Sequence, residues 1–454
     1  MIRYQDRRRR GDDDDDDDDD EDNEEVSFGF GFGLGNRVFQ CLESCCSQDL
    51  ANRIRAIGAK TPGSLLMVNR RDMCNEMMDS LLVQQSYYPK SCSVTITYGA
   101  TVQRVNDDCT ANISITSSKD GSIPMKKAVT NVPYDLFLAG DGIRSSIRED
   151  LIGKRYLRCS SKYLRPISWK SLQLPSQPNL PSDSFLSLNV TPAVSATIAS
   201  TTKPPIDQWG ALMPRYKNKF VLLTFWKRYR HRRKNNNGIT NCNNPMNNIF
   251  NATSPNELKD KIRLCFPQIT KFPSDDYLTR YLNEPPGQEL YMTLSQHAVP
   301  SLRVALVGDA AVGMYSRMGQ GCASALERVS ILVRELLTSK AFFITDAEED
   351  DEADDTATST TAYDDDQVSS LEGALVAFSK ESVKQGRAIS NINLLWHIDN
   401  HPWFSNKRFF KVDFQKLAPK LNNPNVTYKD IEREYKWSIF LAQCLWRLER
   451  LPIS

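Results

Sequence analysis

Two stretches of this chain end an apolar run in glycine and aspartate. The first reads Asp135-Leu-Phe-Leu-Ala-Gly-Asp141-Gly142 and continues Ile-Arg144-Ser145-Ser146-Ile-Arg148. The second reads Leu302-Arg-Val-Ala-Leu-Val-Gly308-Asp309-Ala310-Ala311, and a glycine turn, Gly319-Gln320-Gly321, follows about ten residues later. Short apolar runs of this kind read as strands buried on both faces. In open α/β sheets, ligands bind beyond the carboxyl ends of such strands. Glycine there lets a backbone or a cofactor come close. An aspartate can accept hydrogen bonds from sugar-like hydroxyls. A helix opening after the glycine turn offers N–H groups and partial positive charge to an anion. Together the two motifs suit a long cofactor with a polyol arm and an electron-accepting ring. Taken singly, each aspartate has a plainer reading as a cap on a strand–helix turn, and Arg144, Ser145 and Arg148 as ties within it.

Helices and strands must position these turns. Helical periodicity marks 38–42 and 71–82. Alternation marks strands at 93–98 and 112–116, and 135–139 is a buried strand leading into Asp141. From about 155 to 300, serine, proline and alternating segments dominate, with strands expected at 185–190 and 220–225. That texture predicts an antiparallel sheet inserted between two α/β pieces. A strand at 304–307 precedes the second motif, and the glycine turn opens a helix to about 339. Another helix is expected from 371 to 396. A last amphipathic one runs from 428 to 448, with Trp437, Phe440, Leu441, Cys444 and Leu448 on its packing face and Trp446 opposite.

Composition bounds the function. The 454 residues are 40% hydrophobic and 25% charged, which excludes a collagen-like, wholly disordered or membrane-embedded chain. No apolar run is long enough for a transmembrane helix, and the start, MIRYQDRRRRG, has no secretory signal pattern. A soluble, intracellular protein is expected. The net charge of +1 conceals acidic runs at 12–25 and 346–366. Without them, 32 acids face 57 bases. Such runs repel themselves and bury nothing. Eleven scattered cysteines without a CxxC pair, and four histidines without metal spacing, predict neither a disulfide framework nor a metal site. The basic run Lys227 to Lys234, beside Trp226, has the composition of a single-strand nucleic-acid contact. A solvated hairpin loop is the simpler reading, and no nucleic-acid partner is expected.

The two motifs in this order, about 165 residues apart with a β-rich segment between them, resemble the FAD-dependent aromatic hydroxylases of the p-hydroxybenzoate hydroxylase type. The likeness is nearest to the kynurenine 3-monooxygenase branch and extends over roughly residues 26 to 400. Met213-Pro214-Arg215 followed by Phe220, and Leu264-Cys-Phe-Pro267, fit that branch in order. The resemblance implies a Rossmann-like α/β FAD domain with an inserted antiparallel β-sheet substrate domain and C-terminal helices. It implies a leader at 1–25, FAD-domain parts at 26–154 and 301–345, the substrate domain at 155–300, an acidic insert at 346–367 and a helical region at 368–454. It further implies NAD(P)H as cosubstrate, oxygen, and a small aromatic substrate hydroxylated through a flavin hydroperoxide. By the same resemblance, Gly308, Asp309 and Ala310 form the GD fingerprint, with Asp309 holding the ribityl chain. Gly319, Gln320 and Gly321 lie at the flavin's pyrimidine edge. Asp141 and Gly142 form the DG pair, and Arg70, followed by Met73 and Met77, opens a cofactor-contacting helix. The family mechanism needs no protein nucleophile, and no catalytic residue is assigned.

The sequence also departs from the family. The opening βαβ unit with its GxGxxG turn is missing, because Phe28-Gly-Phe-Gly-Phe-Gly-Leu-Gly35 has the wrong spacing and no apolar strand before it. Val312 stands where the family has histidine, Ser316 where it has proline, and Ala323 where it has asparagine. The short 58–65 segment offers no counterpart to the branch's substrate-carboxylate residues. A cofactor-free relative acting as a binding or scaffold protein is therefore the alternative reading.

Overall fold

The computed structural model describes residues 31–61, 65–85, 94–117, 125–181, 186–188, 208–215, 219–227, 252–315, 318–339, 365–395 and 412–448. The acidic leader, most of the acidic insert and all but the first residue of the basic run lie outside them. The fold is mixed α/β and divides into two compact units.

The first unit gathers Met1–Gly35, Gln48–Val94 and Leu164–Glu289. Strand β1 (Gly31–Leu34) runs antiparallel to β3 (Leu66–Asn69), whose other edge takes β2 (Ala59–Lys60). Helices α2 (Gln48–Ala56) and α3 (Arg70–Gln85) flank these strands in sequence. A larger sheet follows the order β12 (Gly287–Leu294), β8 (Cys159–Leu174), β11 (Phe220–Lys227), β10 (Gln208–Pro214), β9 (Leu186–Leu188). Side chains alternate across it, as the pleat requires. Leu172, Leu212, Phe220 and Leu222 pack against Leu258, Ile262, Phe266 and Leu278 of helices α5 (Pro255–Cys265) and α6 (Asp275–Asn283). Val221, Leu223 and Phe225 join Met67 and Met213 in a second cluster. Ser254 and Ser274 cap the two helices by accepting from Glu257 N and Tyr277 N. Gly210 is required in β10, since a Cβ there would meet the Phe266 ring at 2.9 Å.

The second unit gathers Asn36–Ser47, Thr95–Tyr163 and Leu290–Ser454. It holds helix α1 (Asn36–Cys45) and the antiparallel strands β4 (Ala100–Val105), β5 (Thr110–Ser117) and β6 (Met125–Pro133). A three-stranded sheet follows the order β13 (Ala298–Val299), β14 (Val304–Leu306), β7 (Phe137–Ala139). The β14–β7 pair is parallel. Around it lie α4 (Ser146–Gly153), α7 (Gly321–Thr338) and α8 (Asp365–Asn393). Val304, Leu306, Ile147, Leu151, Met292 and Leu294 form one core. The C-terminal helices α9 (Phe414–Asn422), α10 (Tyr428–Glu434) and α11 (Lys436–Leu448) build another with the last turns of α8.

Three sequence expectations need correction. Residues 94–98 form no strand. Helix α8 starts at Asp365, so the last acidic residues of the insert are helical; carboxylates in a first turn favour the helix dipole. The expected single helix 428–448 is two helices broken at Tyr435, and its buried face is Ile439, Ala442, Leu445 and Trp446. Trp437 and Phe440 are exposed, at 75% and 59%. All five residues expected on the packing face lie after the break, within one helix, so packing and not the break decides which face is buried.

Candidate functional site

Parallel pairing puts both GD-type turns on one edge of the second unit. Register matches Val304 with Phe137 and Leu306 with Ala139, and Val307 N donates to Ala139 O at 3.0 Å. Gly140-Asp141-Gly142 and Gly308-Asp309-Ala310 therefore leave the sheet side by side. The expectation of strands buried on both faces holds for β14, which is buried throughout, but not for β7, where Leu138 is 52% exposed and Ala139 alone is buried. Asp141 and Asp309 both reach the surface. Gly142 has φ +79° and Gly308 φ +59°, the left-handed region that glycine occupies without strain.

Arg148 ties the two turns together. It is 1% exposed and donates to Ala310 O at 3.2 Å, to Ile143 O at 2.8 Å and to Glu149. Ser145 caps α4 by accepting from Arg148 N, and Asp141 accepts from Ile147 N and Ser146 Oγ, both at 3.4 Å. Burial raises the Glu149 carboxyl, but hydrogen bonds and charge from Lys162 and Arg148 outweigh it and hold the group below its ordinary range.

The second turn leads to α7, whose N-terminus has no side-chain cap. Gly319 has φ +65°, and a Cβ built on Gly319 or Gly321 meets no atom of a described residue within 4 Å. The backbone of this turn faces open space while the helix axis presents its positive end. A Cβ on Gly308 would lie 3.7 Å from Ala325 Cβ, so the GD turn sits over the second turn of α7.

Behind this edge lies a buried polar layer. Arg328 of α7 is 2% exposed and donates to Ser324 O at 2.6 Å, while its Nε has no partner among the described residues. Burial pushes its guanidinium down to about 10, opposed chiefly by the charge of Glu327. Buried His297 lies 2.7 Å from Ser382 Oγ, and its pKa is pushed far below 6.5 by burial and by Arg328 and Arg387. It stays neutral and serves as a tie to α8. Val312, at the family's histidine position, is buried; a Cβ on Gly386 would strike it at 2.7 Å.

Of the residues read from sequence, Asp141, Gly142, Gly308, Asp309, Ala310, Gly319, Gln320 and Gly321 all fall in this second unit. Arg70 opens α3 in the first unit, where its side chain bonds Cys74. Sequence reasoning missed Arg37, Tyr428, Arg328 and His297. Only their burial distinguishes them, and arginine or tyrosine in a helix carries no sequence signal of burial.

No family model matches the chain, and no curated protein matches it in sequence. Solved structures do. A single-residue variant of 2-methyl-3-hydroxypyridine-5-carboxylic acid oxygenase shares 14% identity at TM-score 0.53, over 88% of this chain and 89% of that one. A second variant of it gives 14% identity and TM-score 0.51 over 87% and 86%. Its tetrameric form gives 13% and 0.50 over the same shares. This chain has the fold of that oxygenase. The strand pair ending in Asp141 and Asp309 and the glycine-opened α7 are thus parts of an oxygenase fold, with two local peculiarities. No described atom lies within 4 Å of a Cβ on Gly319 or Gly321, and Asp309 is exposed. A phosphate-cradling turn is missing among the described residues: β1 pairs antiparallel to β3 and is not followed by a GxGxxG loop. Open backbone at the glycine turn and an exposed carboxylate are what the ring and ribityl end of FAD would need; no diphosphate cradle is found among the described residues.

Proposed function

We propose that this chain is an FAD-binding oxidoreductase, a monooxygenase that hydroxylates a small aromatic substrate with NAD(P)H and oxygen. The observation that carries the proposal is that exposed Asp309 leaves a turn packed over α7, whose uncapped start has glycine at 319 and 321, in an oxygenase fold. The relative's name makes its own substrate a hydroxypyridine carboxylic acid, a small aromatic. Bound flavin would supply the redox chemistry. The protein's part is to bind, orient and polarise. Asp309 accepts hydrogen bonds from ribityl hydroxyls. The opening of α7 places N–H groups and the helix dipole against the pyrimidine edge, where reduction builds negative charge. Gly308 and Gly319 keep the backbone close enough to do so. Asp141 and Gly142 hold the neighbouring turn. The Rossmann-like architecture and the insertion of the β-sheet as a substrate domain belong to the same proposal.

A second reading is favoured by the missing phosphate turn: a cofactor-free relative that keeps the fold as a binding protein. One spectrum separates the two. The purified chain, mixed with excess FAD and desalted, should keep flavin absorbance and then oxidise NAD(P)H faster with aromatic substrates. Protein absorbance alone, before and after reconstitution, rejects the first reading and supports the second.

A further inference from the structure

The C-terminal helices reach the glycine turn through a continuous buried chain of contacts. Arg37 of α1, 3% exposed, donates to Leu421 O at 2.9 Å, to Asn423 O at 2.7 Å and to Val426 O, and it pairs with Glu327 at 2.9 Å. All its donors point at the α9–α10 connection and at α7. Its guanidinium lies 4.4 Å from the centroid of the Tyr428 ring. Tyr428 is fully buried, and its hydroxyl donates to Gln320 Oε1 at 3.1 Å. Gln320 is itself 5% exposed, and its amide nitrogen donates to Met318 O at 3.4 Å. Both ends of the Gln320 amide are engaged inside the protein.

We propose that Tyr428 is a positioning residue for the Gly319-Gln320-Gly321 turn, and that the Gln320 side chain is an internal strut and not a cofactor ligand. The backbone of the turn, and not the glutamine amide, then faces the ligand. The ligand's identity as flavin rests on the function proposed above; the strut itself does not. The geometry supports this division of labour. The turn has no side-chain cap and has glycine on both sides of Gln320, so little else restrains its backbone. A fixed Gln320 also fixes the carbonyl that accepts the first hydrogen bond of α7, Ser324 N to Gln320 O at 2.9 Å. Burial and the Glu327 charge hold the Tyr428 hydroxyl protonated, so it remains a donor across the neutral range. Arg37 and the Thr427–Asp430 capping box keep the ring in place when the hydroxyl is removed.

The test uses the full chain with Tyr428→Phe, Gln320→Met and both together, with melting temperature as the fold control. In the absence of ligand, Tyr428→Phe should speed amide exchange about fivefold at Ser324 to Leu326, the value of one neutral hydrogen bond, with no change in the second half of α7. With FAD, the dissociation constant should rise by about the same factor. Binding of sulfite to the bound flavin, which reports polarity at the pyrimidine edge, should weaken with it. The double variant should be no worse than Gln320→Met. Unchanged exchange at Ser324 in Tyr428→Phe, or additive effects of the two substitutions, overturns the proposal. A wild-type chain that takes up no FAD refutes the flavin reading; exchange at Ser324 then decides the strut alone.

Discussion

The turn after β7 and the turn after β14 begin alike and end differently. In the first, α4 is closed on itself. Ser145 caps it, Asp141 accepts from Ile147 N and Ser146 Oγ, and Arg148 turns inward to bind Ala310 O and Ile143 O. In the second, α7 opens without a side-chain cap behind glycines that leave its backbone accessible. Similar strand endings thus serve separate purposes. A capped helix start braces the neighbouring turn, and one without a side-chain cap can present its N–H groups to a ligand. The contrast comes from burial of one arginine and absence of one cap, not from the GD dipeptide.

Substitutions that separate brace from receptor would test this comparison. The largest effect is expected from Arg148→Met. It leaves one buried and one part-buried carbonyl oxygen without their donor and should cost about 3 kcal/mol in urea unfolding, in the range for breaking a buried charged group's contacts. A loss under about 0.5 kcal/mol, the level of surface substitutions, would deny Arg148 its bracing role. Next, Asp309→Ala should weaken FAD binding about tenfold to hundredfold, the scale of hydrogen bonds to a charged group. FAD titration checks it, and an unchanged dissociation constant would put the receptor elsewhere. Asp141→Ala should be milder, because its two bonds are long at 3.4 Å. A stability loss of about 0.5 kcal/mol is expected, the low end for a cap. If Asp141→Ala instead removes FAD as strongly as Asp309→Ala, the two turns are equivalent after all.

The smallest effect concerns acid. Glu149 belongs to the brace, and its folded pKa is depressed by Lys162 and Arg148 against the opposing effect of burial. A depressed carboxyl contributes stability that is present above its unfolded value, about 4.3, and is lost as pH falls through the folded one. Glu149→Gln should therefore flatten the acid limb of stability below about pH 4.3 while leaving neutral-pH flavin affinity unchanged. Glu149 is half exposed to solvent, so screening keeps this effect small.

The strands leading to both aspartates were legible in sequence, because a short apolar run bounded by glycine has few other readings. The 220–225 strand and the start of α7 at the glycine turn were legible for the same reason. Helix α11 was not. Its periodicity fitted two faces, and only packing against Tyr291 and Tyr315 selected the one carrying Trp446, whose Nε1 donates to Tyr315 Oη at 3.1 Å. The buried layer of Arg37, Arg328 and Tyr428 was equally hidden. A charged or phenolic side chain reads as surface until a fold surrounds it with carbonyl acceptors.

By itself the sequence determined the local chemistry: where strands end, where glycine frees the backbone, where carboxylates stand, and that a GxGxxG turn is missing. Those properties depend on neighbours along the chain. Only the tertiary structure decided that β7 and β14 lie parallel, that Arg148 braces one turn for the other, and that the Tyr428 hydroxyl meets the Gln320 side chain. Such choices rest on burial and on hydrogen bonds between distant segments, and a residue's type records neither.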